Sequence, residues 1–341
     1  LALQAWIQQF KTATALWSKR TSGERDMPKI HVNGVDLYYE VIGQGAPLLF
    51  IHGLASSSRG WHMQVPAFSK HYRVVTFDIR GHGRSEKPLG PYGMEVFAAD
   101  AAELLRSLGL GPAHVVGFSL GGMIAFQLAI DAPEMVKSLV TVNCCPEGHM
   151  TTFSNGLACC KQITRVHLNG INGIKRKGHN SAQRAPTVTE EQQVARTVLE
   201  QLAFYSKWPY VRTFLDIVGW SAVDRLDTIS CPILVITSDQ DYTPVSVKEW
   251  YMSKVPGAEF AVIANSWHSV LEEQSDGFNE VLVEFLLKQS EANRSLGRKT
   301  QGTQEATAST LGVTQEGSLP SGDIQPLCSG CPQVKNHCSR S

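Results

Sequence analysis

Long apolar runs are missing: nowhere in the 341 residues does one approach the ~20 apolar positions that a membrane-spanning helix needs. An excess of either charge is missing too, with 31 Lys+Arg against 31 Asp+Glu. That balance removes the basic surplus on which nucleic-acid affinity rests. Charged residues are only 18% of the chain and hydrophobic ones 43%, so a globular fold with a sizeable core is expected rather than a disordered one. Near the N-terminus Gln4, Gln8 and Gln9 interrupt what would be a secretory apolar core. The 8 cysteines do not form a disulfide framework, because four of them are the adjacent pairs Cys144-Cys145 and Cys159-Cys160. A chain of this length does not need cross-links to fold. A reducing, cytoplasmic location is therefore expected. Zinc-protease His-Glu-x-x-His and phosphate-binding glycine loops are also absent. The terminal Cys328-Ser-Gly-Cys331 and His337-Cys338 lack the second spacer of roughly two to four residues that zinc pairs use, so no metal site is assigned there.

The two ends differ from the middle. Residues 1–26 read as an N-terminal extension, with Leu3, Trp6, Ile7, Phe10 and Trp17 near helical spacing and no acid before Glu24. A targeting segment and an ordinary surface helix both fit that pattern. After Phe285 there are no aromatic residues, and 290–341 is rich in Ser, Gly, Gln and Thr. Such a stretch buries too little surface to offset its ordering entropy, and a disordered tail is expected.

Between the ends, short β-rich runs alternate with helical stretches. Lys29–Val32 and Val35–Val41 flank Asn33-Gly34, a type I′ hairpin turn. Leu48–Ile51, Val74–Asp78, His114–Phe118, Leu139–Asn143, Ile233–Thr237 and Phe260–Ile263 are candidate buried strands. Helical periodicity fits Glu95–Leu108, Leu120–Ile130, Val245–Lys254 and Phe278–Leu287. Near-continuous apolar strands separated by helices imply an α/β protein, its mostly parallel sheet covered on both faces. The alternation breaks over 144–227, which reads as an inserted helical cap; 27–143 and 228–289 then form the core.

The strongest local signal is Gly117-Phe118-Ser119-Leu120-Gly121, set between an apolar strand and a helix. A serine at so sharp a turn stands clear of the sheet, and small residues two before and two after it let strand and helix approach. The helix N-terminus behind it offers backbone N–H groups to a developing oxyanion.

With this elbow the sequence resembles the α/β-hydrolase family, in its cap-bearing serine esterase branch, and is also similar to enol-lactone hydrolases. The resemblance spans about Met27 to Lys288. It rests on His52-Gly53-Leu54 after one strand, Asp78-Ile79-Arg80-Gly81-His82-Gly83-Arg84-Ser85 after the next, the elbow, Ser238-Asp239-Gln240-Asp241, and Trp267-His268. It implies an α/β-hydrolase fold and a triad in the order Ser, Asp, His, each just past a strand end. Ser119 would be the nucleophile and His268, the one histidine between Asp241 and His337, the base. For the acid there are two candidates, Asp239 and Asp241. The family pattern Gly-x-x-Asp becomes Ser238-x-x-Asp241 here and favours Asp241. Some relatives carry the acid after an earlier strand, a position occupied here by Asn143. The resemblance places the oxyanion hole at the backbone N–H of Leu54, together with that of Leu120. The Asp78–Ser85 loop reads as an ion-paired structural turn.

A serine nucleophile separates the chain from the epoxide hydrolases and haloalkane dehalogenases of this fold, which attack with a carboxylate. The expected activity is cleavage of a small-molecule carboxylic ester or lactone, with no cofactor and no nucleic-acid partner. Enol-lactone hydrolases, carbon–carbon hydrolases, perhydrolases and a slow-turnover ligand receptor on the same triad remain alternatives. Phe204, Tyr205, Trp208, Tyr210, Phe214 and Trp220 would supply aromatic surface in the cap, as its own core or as substrate wall.

Overall fold

A computed structural model describes residues 28–148 and 207–291. The expected N-terminal extension, most of the cap and all but the first two residues of the tail lie outside the described residues, as do Phe204, Tyr205, Cys159-Cys160 and the terminal cysteines. The chain divides into two units, Leu1–Ser290 and Glu291–Ser341, and the architecture that follows is that of the first.

Eight strands make one sheet: β1 (Lys29–Val32), β2 (Val35–Ile42), β3 (Ala46–Ile51), β4 (Tyr72–Phe77), β5 (Ala113–Phe118), β6 (Val136–Val142), β7 (Ile233–Ser238) and β8 (Glu259–Ile263). Their order is β1-β2-β4-β3-β5-β6-β7-β8. The β1–β2 and β2–β4 pairs are antiparallel and all the others parallel. The β1–β2 turn has φ of 47° at Asn33 and 74° at Gly34, the left-handed pair that a type I′ turn demands. Five helices are central here: α1 (Met94–Ser107), α2 (Leu120–Asp131), α3 (Lys207–Ile217), α4 (Val245–Met252), and α5, which starts at residue 275.

Alternation along the strands builds two cores. Leu49 and Ile51 of β3, Val75 and Phe77 of β4 and Val115 of β5 face α1, α2 and α4. Their neighbours Leu48, Phe50, Val74 and Val116 face the other way, onto Trp61, Phe68 and the Phe278, Leu282 and Phe285 side of α5. Both faces being covered, the strands need apolar residues at every position, hence their continuous runs. Phe50 and Trp61 stack at 4.5 Å between ring centroids, tying the segment after β3 to the sheet.

Strand order reverses at β3. The chain leaves β3 for β4 on one side, crosses through α1, and returns to β5 on the other. Ligands of parallel sheets bind at such a switch point, beyond the carboxyl ends of the strands. The ends of β3 and β5 carry His52-Gly53-Leu54 and Ser119 respectively. Among the described residues no helix is long and apolar enough to cross a membrane, and no cluster of metal-ligating side chains occurs.

Candidate active site

β5 delivers Ser119 into α2 through a bend with φ 54° and ψ −116°. For a residue with a Cβ that conformation costs about 1–3 kcal/mol, so it persists only where neighbours hold it. Ser119 N–H donates to the Val142 carbonyl at 2.9 Å, and the Ser119 carbonyl accepts from Gly122 N–H at 2.9 Å. Close packing does the rest. A Cβ on Gly117 would lie 2.1 Å from the Gly121 carbonyl oxygen, and one on Gly121 would lie 2.1 Å from that of Ile51. Glycine is required at both positions by contact, not by backbone angle.

The loop after β8 brings His268 to this serine. His268 Nε2 lies 3.0 Å from Ser119 Oγ, and His268 Nδ1 lies 2.6 Å from Asp241 Oδ1. Asp241 is 2% exposed and the imidazole 21%. Burial alone would push the Asp241 carboxyl up. The hydrogen bonds from His268 and Lys248, with the charge of Lys248, outweigh it and leave the group below its ordinary value, hence a carboxylate. The rings of Phe118 and Tyr242 flank the imidazole at 5.1 and 4.4 Å between centroids.

Asp239 does something different. Its two oxygens accept backbone N–H groups of Ser266 at 3.1 Å and Asn265 at 3.0 Å, pinning the loop that carries His268. Those hydrogen bonds hold its carboxyl below the usual range. Of the two candidate acids, Asp241 is the one that meets the imidazole.

Two further residues join the arrangement. Asn143, with φ 46°, stands just past β6 where some relatives have their acid. Its amide does not replace a carboxylate. Nδ2 donates to the His268 carbonyl at 2.8 Å, the Trp267 carbonyl at 3.3 Å and Ser238 Oγ at 2.8 Å, while Oδ1 accepts from Ser238 N–H at 2.8 Å. The second is Lys248 of α4, ion-paired to Asp241 Oδ2. Sequence reasoning missed it, although a signal was present: Lys248, Tyr251, Met252 and Val255 form an i, i+3, i+4, i+7 stripe that is otherwise apolar.

Leu120 opens α2, so its N–H is among those at a helix start that have no intrahelical acceptor. A Cβ on Gly53 would meet the Phe118 ring at 3.0 Å, which puts the His52-Gly53-Leu54 loop against the elbow. His52 locks that loop: Nδ1 lies 2.8 Å from the Gly53 carbonyl, and Nε2 accepts Ile79 N–H at 3.0 Å. Burial pushes its pKa down. Both ring nitrogens are occupied by backbone, so His52 shapes the loop. The Asp78–Ser85 segment is an ion-paired turn, in which Asp78 accepts Ser58 N–H and Arg84 N–H, both at 2.7 Å.

Of the cap aromatics within the described residues, Tyr210 stacks on Phe214 at 6.2 Å. Trp220 Nε1 donates to Gln127 of α2 at 2.9 Å, and Trp208 Nε1 to the Leu89 carbonyl at 3.1 Å. These are packing anchors of the segment that leads back into the core.

A family model described as alpha/beta hydrolase fold matches residues 46–158. A candidate carbamate hydrolase, RutD, of Caulobacter vibrioides is 30% identical over 278 residues, which cover 76% of this chain and 99% of that one. A candidate non-heme bromoperoxidase, BpoC, of Mycobacterium tuberculosis is 29% identical, over 74% of this chain and 97% of its own. The solved structure of an N-acyl homoserine lactone degrading enzyme superposes with a TM-score of 0.65 at 28% identity, covering 76% of this chain and 100% of the other. Strand order, elbow and relatives agree: the chain belongs to the α/β-hydrolase family, and its chemistry is that of a hydrolase.

Proposed function

We propose that this protein is a serine hydrolase that cleaves small carboxylic esters through an acyl-enzyme on Ser119. The observation that carries the reading is the unbroken chain of contacts from Ser119 Oγ through the His268 ring to Asp241, at 3.0 and 2.6 Å. His268 Nε2 takes the Ser119 proton as Oγ attacks the ester carbonyl. Asp241 accepts the Nδ1–H, fixing the tautomer and stabilising the imidazolium that forms. The backbone N–H groups of Leu120 and Leu54 hold the tetrahedral oxyanion. Collapse of the intermediate expels the alcohol with the proton from His268. Water then attacks the acyl carbonyl, its proton passing to His268 and on to Ser119 Oγ as the acid departs. Every group in the cycle belongs to this chain, to the substrate or to water.

A second reading has specific support, since the relatives named as carbamate hydrolases pair over almost their whole length with this chain. A carbamate carbonyl suits the same triad but is less electrophilic, because nitrogen donates into it. A cap insertion, expected from the sequence over 144–227, would favour short acyl groups. The test is kcat/KM for p-nitrophenyl esters from acetate to palmitate, beside an N-alkyl carbamate of the same phenol. Ester turnover that favours acetate or butyrate and is lost in Ser119→Ala supports the proposal. Carbamate turnover exceeding that of every ester would replace it with the second reading, and full ester activity in Ser119→Ala would overturn both.

A further inference from the structure

α4 turns a lysine into the core. Lys248 shares its inward face with Tyr251 and Met252, both buried, and its own side chain is 1% exposed. An ammonium in such a place is costly unless its N–H groups find acceptors. It has three, and three oxygens meet them: Thr237 Oγ1 at 2.7 Å, the Thr243 carbonyl at 3.2 Å, and Asp241 Oδ2. One partner lies on β7, one in the loop after it, and the third is the carboxylate that faces His268. Asp241 thus divides its oxygens, Oδ1 to the imidazole and Oδ2 to Lys248. With donors on both sides, the carboxylate cannot rotate without breaking both contacts.

We propose that Lys248 is a positioning residue of this site, holding Asp241 with Oδ1 towards His268 and tempering, by its own charge, how strongly that carboxylate retains a proton on the imidazole. The proposal rests on the reading of Ser119, His268 and Asp241 as a triad. A carboxylate already paired with an ammonium attracts an imidazolium less than a bare one does. The surrounding groups leave Lys248 as the one cation behind Asp241 among the described residues. Cys144 and Cys145 approach from the segment after β6, and burial holds both thiols neutral, Cys145 being pushed up to about 11. Tyr242 presents its ring to His268, and Glu273 accepts Trp267 N–H at 2.6 Å. Asp239 is committed to the Asn265 and Ser266 N–H groups, and Glu147 to the Tyr251 hydroxyl.

The experiment compares wild type with Lys248→Gln, which keeps a donor near Asp241 and removes the charge, and with Lys248→Met, which removes both. For each, kcat/KM for p-nitrophenyl acetate is measured against pH, and the His268 ring is titrated by NMR in the same samples. In Lys248→Gln the acid limb and the ring titration should move together to higher pH by about one unit or more. Activity on that limb would fall about tenfold while the alkaline plateau stays within a few-fold. Lys248→Met should add a lower plateau, because Asp241 then loses its second anchor. A wild type without ester turnover would sink the ester reading alone, since the ring titration still decides the role of Lys248. A folded Lys248→Gln with acid limb and ring titration unmoved would overturn the proposal. So would a Lys248→Gln that cannot fold, which would make the lysine a structural strut.

Discussion

Two aspartates on either side of Gln240 divide the work of the loop after β7. Asp239 spends its oxygens on backbone N–H groups of Asn265 and Ser266, whereas Asp241 faces two side-chain donors, His268 and Lys248. An asparagine at 241 has one carbonyl oxygen for two donors, so its NH2 must turn towards one of them. Asp241→Asn is therefore expected to lower kcat on the order of 10⁴-fold, the usual cost of the wrong imidazole tautomer. It should also cost about 1–3 kcal/mol of stability for the buried donor left unmatched. Asp239→Asn retains an acceptor and should cost about tenfold or less in kcat, as a slackened loop would. Steady-state kinetics of both variants on one ester, with urea unfolding curves, check the pair; a crippled Asp239→Asn beside a healthy Asp241→Asn would exchange their roles. The elbow makes Ser119 stand out in the sequence, and the family resemblance points to His268 and, of two candidate acids, to Asp241. Lys248 is legible there only as a lysine in an otherwise apolar stripe, because a single lysine in a helix ordinarily points to solvent and its partner across the loop is needed to show otherwise. Asn143 stands out in the sequence only as a vacant acid position, since its use of an amide to clamp the His268 carbonyl depends on where β8 ends.

At the scale of elements, the strands are readable because a sheet covered on both faces demands unbroken apolar runs. Their ends are less so. β6 begins at Val136, ahead of the Leu139 at which the apolar run starts, because Lys137 and Ser138 interrupt the pattern while the backbone keeps pairing with β5. α4 stops at Met252, where Ser253 N–H bonds back to the Glu249 carbonyl, although helical periodicity runs on to Lys254. The short turns at Ser58–Trp61 and Val65–Phe68 are too brief to show a period at all. The elbow is the element with the tightest steric demand. Gly117→Ala forces a methyl to 2.1 Å from a backbone oxygen and should cost about 3 kcal/mol with loss of activity. Gly277→Ala supplies the contrast. It meets nothing within 4 Å on α5 and should stabilise by about 0.5–1 kcal/mol. Thermal or urea unfolding of the two variants tests the sign of each, and equal effects would mean that the elbow has more slack than the contacts allow.

For the molecule as a whole, buried histidines set a pH dependence. His82 and His114 are both 0% exposed, and burial, the largest cause, pushes them down to about 3 and about 4. A histidine whose folded pKa is depressed stabilises the native state above its unfolded value of about 6.5 and loses that contribution as pH falls towards the folded value. Each should therefore cost about 1 kcal/mol between pH 7 and 5.5, so that the pair lowers unfolding free energy by about 2 kcal/mol. Urea unfolding at the two pH values reads this directly, and a flat response would show that both rings are protonated in the native state. The fold gathers these pieces around one atom, Ser119 Oγ, at the point where strand order reverses. The central claim is that this oxygen is the nucleophile, and intact-mass spectrometry after treatment with a fluorophosphonate tests it most directly. Wild type should gain one phosphonyl group, mapped to the peptide containing Ser119, as ester turnover falls in proportion, and Ser119→Ala should gain none; a label retained in Ser119→Ala, or a labelled wild type with undiminished turnover, would contradict it.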